Sequence, residues 1–440
     1  MIKGKNNNTG KEEKNIFLRF NFERIHKLSL LLLLVFFIFS NFDRYNVKPV
    51  HLGEESASLT QEAEITIQSG NLFIQISSII IFVLALLLCE TKFILKKLYS
   101  QRLFLCYFTF IALSLLYSIN FNLTFRRLIL FGIVVYFGLA LLVEKDSTLE
   151  KFIKMFYSFI LIYAFFAFMA FCRSIILGQI FFMYRFSVFG QPHRDAEIFG
   201  LGLLLHWLVN KEKIVIMDKI LQLVLFMFML LIVIITLSRT GLLCVLISGI
   251  YILNSQIKKI SKKFLCLVSM IFLIYLTFLF LPNYVVEGLI RIETIISLAG
   301  RINLWEYLIE YGPTNPYFGA GFGAYWNADN IYLVELVEGW AAPGAHNGFL
   351  DVFVNTGLIG LIFILVILAN LWISTNCYYG NIRTFLRAIV IFVIIQNLAQ
   401  GSFQSPRMFV EIVFWWIYFQ VVSRKIQYQY NARNSLALNG

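Results

Sequence analysis

Three short stretches of the chain carry side chains able to do chemistry. The first is Ser238, Arg239, Thr240, Gly241. The second is Gly300, Arg301, Ile302, Asn303, Leu304, Trp305, followed by Pro316, Tyr317, Phe318, Gly319, Ala320, Gly321, Phe322, Gly323. The third is Pro343, Gly344, Ala345, His346, Asn347, Gly348, Phe349, Leu350, Asp351, then Gly357, Leu358, Ile359, Gly360. Two of these present an arginine, whose planar guanidinium forks onto phosphate or carboxylate oxygens. The third presents a histidine, whose neutral imidazole takes a proton near neutral pH. Bland readings stand beside these: a snorkelling arginine at a hairpin tip, a flexible glycine turn and a structural histidine. The glycine series has the wrong spacing for a dinucleotide fingerprint and follows no strand. Its functional reading is a backbone able to approach a glycan or phosphate closely.

The elements that carry these stretches belong in lipid. The 440 residues are 59% hydrophobic and 14% charged, with a mean hydropathy of +0.76, which excludes a water-soluble globular enzyme. Phe 46, Tyr 21 and Trp 7 suit a protein immersed in a bilayer and anchored at both interfaces. The net charge of +12 follows from basic cytoplasmic loops and gives no reason to expect nucleic acid. Cysteines 89, 106, 172, 244, 266 and 377 lie in or beside apolar runs without paired spacing, so neither a disulfide nor a zinc site is expected.

A helix crosses the bilayer with roughly 17 to 25 apolar residues. Twelve such runs are legible, some of them short: 28–42, 72–89, 103–120, 128–143, 155–172, 196–209, 220–237, 241–256, 264–282, 348–374, 388–400 and 408–422. The fold class is therefore an all-α polytopic membrane protein of about twelve transmembrane helices. The basic tail 1–27 is cytoplasmic, spans one to nine occupy 28–282, and a large outer loop covers 283–347. Spans ten to twelve occupy 348–423, and 424–440 returns to the cytoplasm. The leader resembles a secretory signal only superficially; a first membrane anchor is the better reading.

Lys and Arg resist translocation, so the lysine-rich side that holds both termini faces inward. The eleven outward cations are Arg44, Lys48, Arg126, Arg127, Arg173, Arg185, Arg194, Arg239, Arg291, Arg301 and Arg407. All but Lys48 are arginine, a skew expected where guanidinium groups bind ligand rather than set topology. All seven prolines, from Pro49 to Pro406, also fall outward or at outer span ends. Shaped backbone is thus an outer-face feature. The outer loop carries Trp305, Phe318, Tyr325, Trp326 and Trp340, too many large aromatics for a disordered linker. Short helices near the membrane surface are expected there, with Arg301 and Trp305 sharing one face at i and i+4.

In order and spacing, these three motifs resemble the O-antigen ligase and polymerase superfamily. The signals are a Ser-Arg-Thr-Gly turn, Gly-Arg-x-x-x-Trp with Pro-x-x-Gly-x-Gly, and His-Asn-x-x-Leu running into Gly-Leu-x-Gly. The resemblance covers about 220–375, and the stretch Gly319 to Trp326 with His346 to Asp351 leans toward the polymerases. It implies a multi-pass glycosyltransferase of the bacterial inner membrane, drawing a glycan from undecaprenyl pyrophosphate on the outer face. The glycan would pass to a sugar hydroxyl of an acceptor glycan, or to lipid A core if the chain is a ligase. By the same resemblance Arg239 and Arg301 hold the pyrophosphate, Arg185 is a third basic position, and His346 acts on the acceptor hydroxyl. Trp305 and Asn347 join them as substrate-binding residues.

The chemistry agrees with those roles. Displacing pyrophosphate from an anomeric carbon builds negative charge on the leaving group, and preorganised arginines can replace a metal there. The expectation is inversion at the sugar with no metal and no other cofactor. A metal-dependent variant would use Asp195 and Glu197, which follow His193 and Arg194. Two other classes remain: a transporter for the same lipid-linked sugars, which would need ionisable groups at mid-membrane, and a structural membrane scaffold.

Overall fold

A computed structural model describes residues 91–140, 148–176, 186–187, 192–209, 216–256, 301–313, 315–340, 342–405 and 408–439. The expected spans at 28–42, 72–89 and 264–282, residue Arg185 and the first part of the outer loop, 283–300, lie outside the described residues. Every regular element among the described residues is helical. They are α1 (Thr91–Ser100), α2 (Arg102–Leu113), α3 (Phe121–Ala140), α4 (Thr148–Ile176), α5 (Pro192–Val209) and α6 (Ile216–Ile235). Then follow α7 (Arg239–Gln256), α8 (Arg301–Tyr311), α9 (Ala328–Glu338), α10 (Gly348–Ser374), α11 (Gly380–Ala399) and α12 (Phe409–Asn439).

Among the described residues, four stretches are long and apolar enough to cross a bilayer: Phe121–Leu139, Phe156–Arg173, Gly348–Cys377 and Gly380–Ala399. Arg102–Leu116, Ile220–Ile235 and Arg239–Ser255 are shorter apolar helices. Helix α11 begins eight residues before the apolar run expected from 388, because its first two turns carry Arg383 and Arg387. Both are helical and satisfied locally. Arg383 donates to the Tyr378 carbonyl at 2.6 Å, and the Arg387 guanidinium lies 5.0 Å from the Trp372 ring centroid.

The first turns of α12 form the centre of the bundle, with every residue from Phe409 to Val422 buried. Trp415 meets Phe104 at 5.2 Å and Phe131 at 5.3 Å between centroids, both edge-on, and stacks on Tyr107 at 5.8 Å. Such pairs add to the area they bury. The Trp416 indole N–H donates to the Val134 carbonyl of α3 at 2.9 Å, so even this greasy core fixes its register with a directional bond.

Helix α10 is not continuous. At Gly357 the backbone turns to φ +66°, ψ −170°. The groups released there are taken up by the glycine loop. Ala320 N–H donates to the Val354 carbonyl at 3.0 Å and Gly321 N–H to the Asn355 carbonyl at 2.8 Å. In return Leu358 N–H donates to Pro316 O at 2.8 Å and Ile359 N–H to Tyr317 O at 3.2 Å. In an unbroken helix Leu358 and Ile359 would bond Val354 and Asn355; the loop substitutes for both, which satisfies the buried backbone. Gly319, Gly321 and Gly323 have φ of +73°, +106° and +71°, which only glycine adopts cheaply. At Gly357 a Cβ would overlap the Tyr317 carbonyl. The glycine series therefore brings backbone against α10, and two N–H groups of that stretch are spent on that helix.

Candidate active site

The site lies at one end of the bundle, where α8, the 342–347 segment, the start of α10 and the end of α11 meet. Helix α8 sets Arg301 and Trp305 one turn apart. Leu304 and Leu308 between and beyond them are fully buried, which turns that face of α8 inward. The Arg301 guanidinium donates from Nη1 to the Ala399 carbonyl, the last residue of α11. Helix C-termini carry partial negative charge, so this end of α11 is a natural seat for a cation.

Trp305 donates its indole N–H to the Ala345 carbonyl at 2.8 Å. The next residue is His346, held at φ +50°, a conformation that non-glycine residues adopt at a cost. Its ring lies 5.7 Å from the Trp340 ring, tilted by 33°. Burial, and after it the charge of Arg301, lower the imidazole pKa from its ordinary 6.5 to about 4. His346 is therefore neutral at physiological pH, beside a permanent cation.

Asn347 caps α10. Its side-chain oxygen accepts from Phe349 N–H at 3.0 Å and Leu350 N–H at 3.2 Å, which is ordinary N-cap geometry. The sequence assigned this residue to substrate; the structure shows its amide oxygen engaged by the helix. Arg301, Trp305, His346 and Asn347 are thus brought together.

Arg239 is half-buried at the first position of α7. One and a half turns later Cys244 lies against α11, its Sγ 3.5 Å from the Gln396 side chain. Arg239 and Ala399 both extend beyond that contact, by roughly 7 and 4 Å of helix rise, toward the same end of the bundle. The Ser238 Oγ before it accepts from Gly241 N–H at 3.3 Å and lies 3.1 Å from His193 Nδ1. Arg185 lies outside the described residues.

Several participants escaped the sequence reading. Asp351, one turn inside α10 and 8% exposed, accepts at Oδ1 from Trp326 Nε1–H at 2.8 Å and from Ala345 N–H at 2.9 Å. Arg127 of α3 lies under Gly323, and its charge acts on both Asp351 and Glu411. A charged residue one turn into a long apolar helix was the available signal for Asp351. The acids weighed as metal ligands are engaged with protein: Asp195 accepts from Tyr163 Oη–H and Ser187 Oγ–H, and Glu197 from the Gln396 amide. Among the described residues no three His, Cys, Asp or Glu gather into a group able to hold a metal ion.

Residues 224–365 match the O-antigen ligase family. The matched segment contains Arg239, Arg301, Trp305, His346, Asn347 and Asp351, and leaves out Arg127 and Arg185. A stretch of 127 residues is 29% identical to the exopolysaccharide production protein ExoQ of Rhizobium meliloti (strain 1021). That similarity covers 26% of this chain and 26% of the relative. Through the motifs in its segment 224–365 and these two matches, the chain is similar to proteins of the O-antigen ligase and polymerase superfamily.

Proposed function

We propose that this protein is a membrane glycosyltransferase that takes a glycan from undecaprenyl pyrophosphate and joins it to a sugar hydroxyl, as an O-antigen or exopolysaccharide polymerase. In this reading the chain is a multi-pass protein of the bacterial inner membrane, with about twelve spans and both termini in the cytoplasm. The observation that carries it is the pairing of Arg301 with His346: a fixed cation beside a neutral imidazole, at one end of an apolar bundle. Resemblance to an exopolysaccharide production protein favours a polymerase over a ligase acting on lipid A core.

The reaction breaks the bond between the anomeric carbon and the pyrophosphate oxygen, whose electron pair leaves with the lipid pyrophosphate. A new bond forms from the acceptor hydroxyl on the opposite face, with inversion. Arg301 and Arg239 stabilise the departing charge, each contributing about 10²- to 10³-fold in rate; Arg185 is a third cation in this reading. The acceptor proton passes to His346. An imidazole with a pKa of about 4 is a weak base toward an alcohol. It is a sufficient one once the new bond is nearly complete, because the attacking oxygen has by then become strongly acidic. Trp305 holds the His346 segment, and Asn347 offers its amide N–H groups to the glycan while its oxygen caps α10. No metal or other cofactor is needed for these steps.

The transporter alternative is disfavoured by where the buried acids sit. Among the described residues, the buried acids Asp195, Glu197, Asp351 and Glu411 all fall within the first two turns of α5, α10 and α12, whereas coupled transporters place theirs at mid-membrane. Two experiments test the proposal. Surface polysaccharide from a deletion strain should stop at single-repeat caps; accumulation of long lipid-linked chains would identify a ligase instead. Purified protein in liposomes should lengthen a lipid-linked oligosaccharide, and translocation without bond formation would overturn the enzyme reading.

A further inference from the structure

The Ala345 peptide, which carries the backbone into His346, is gripped on both sides. Its carbonyl accepts from the Trp305 indole at 2.8 Å, and its N–H donates to Asp351 Oδ1 at 2.9 Å. The same Oδ1 accepts from the Trp326 indole at 2.8 Å. Trp326 closes the glycine loop, whose backbone is exchanged with α10 around Gly357, and Tyr325 N–H is tied to Asn355 Oδ1 at 3.0 Å. Asp351 is therefore the one side chain among these that joins the glycine loop, the His346 segment and α10 at a single atom. Its other oxygen faces Gly401, where no side chain intervenes.

This arrangement answers a mechanical problem. His346 sits at φ +50°, off the preferred backbone of an L residue, and such a conformation persists only where the surroundings over-determine it. The bonds to Ala345 supply that constraint from two directions. A displacement of about 1 Å at a catalytic group can cost on the order of 10²-fold in rate, so an anchor beside His346 affects turnover even though it touches no substrate.

We propose that Asp351 is a positioning residue for His346, holding the Ala345 peptide through its carboxylate oxygen as acceptor. The proposal rests on the functional reading above and adds a named device to it. What matters is the acceptor atom rather than the charge, because both donors are neutral N–H groups, and asparagine can present an oxygen at the same place.

The test compares Asp351→Leu, which removes the acceptor at similar volume, with Asp351→Asn, which keeps it, in the full-length protein in liposomes. Asp351→Leu is expected to lower kcat about 10²-fold with KM for the lipid-linked donor changed less than about 3-fold. Asp351→Asn is expected to stay within about 3-fold of the parent in kcat. Amide hydrogen exchange of the 342–350 segment gives a readout independent of turnover: the Ala345 amide should lose protection in Asp351→Leu and keep it in Asp351→Asn. A Leu variant with parental kcat and protection overturns the proposal. So does an Asn variant as impaired as the Leu variant, since charge would then be the requirement. If His346→Ala is inactive while Asp351→Leu is not, only this inference fails. If His346→Ala keeps full turnover, the functional reading fails, and hydrogen exchange still decides whether Asp351 holds Ala345.

Discussion

Acidification should reveal the buried imidazole of His346. The perturbation is a titration from pH 7.5 to 4 of the parent and of His346→Gln, in detergent, followed by thermal unfolding. In the folded chain the imidazole has a pKa of about 4 against an ordinary 6.5, through burial first and the Arg301 charge second. The unfolded chain therefore takes up a proton from pH 6.5 downward while the folded chain refuses it until about pH 4. The stability associated with a neutral His346 is complete above pH 6.5, declines as the pH falls, and is lost by about pH 4. A shift of this size corresponds to about 3 kcal/mol at most. The ring is half-buried, so solvent screening brings the expected loss nearer 2 kcal/mol. The assay reads the difference between the two proteins: the parent should lose about 2 kcal/mol more than His346→Gln between pH 6.5 and 4. Parallel curves would refute the reasoning. An Arg301→Gln variant provides the internal control, since removing the cation should raise the pKa and shrink the pH-dependent loss. The same argument predicts no inflection in kcat near pH 6.5 from His346.

Three further outcomes follow from the geometry. Arg239→Lys should lose at least about 10-fold in polymer formation despite keeping its charge, because an ammonium cannot fork onto a phosphate; glycan ladders from complemented cells would show it. Trp305→Phe leaves the Ala345 carbonyl without its indole partner and should cost about 1 to 3 kcal/mol, read as a lower unfolding temperature together with reduced turnover. Gly357→Ala should be barely detectable in membranes, since the added carbon meets the Tyr317 carbonyl at a backbone angle of +66°; immunoblotting of membrane fractions checks this.

Local periodicity made part of the site legible. Arg301 and Trp305 stand at i and i+4, and both reach toward the His346 side of the bundle, one through Ala399 and the other through Ala345. The start of α10 at Gly348 was equally readable, because Asn347 and the apolar run beyond it mark a helix N-terminus. Other boundaries shifted because hydropathy reports which residues suit lipid, whereas helices continue through polar flanks. Helix α5 starts at Pro192 rather than near 196, since proline is at home in a first turn. Helix α12 runs on to Asn439, well past the apolar stretch ending at 422.

Contacts between segments distant in sequence were not legible. No local pattern announces that the loop after Pro316 repairs the hydrogen-bond ladder of α10 at Gly357. The glycines were read as an approach to ligand because the sequence shows only that backbone must come close to something, not to what. Asp351 was visible as a charge near a helix end, but its two donors come from Ala345 and Trp326, on separate loops. Arg127 was counted among the outward arginines, yet only folding brings it beneath Gly323.

The central claim is that Arg301 and His346 serve one chemical step. Its most direct measurement is turnover of a lipid-pyrophosphate-linked oligosaccharide by the purified protein in liposomes, as Arg301→Ala, His346→Ala and the double variant. Each single substitution should lower kcat by at least about 10²-fold, and the double should be little worse than the weaker single, as expected for residues acting as a unit. Parental turnover in His346→Ala, or losses that simply multiply in the double variant, would contradict it.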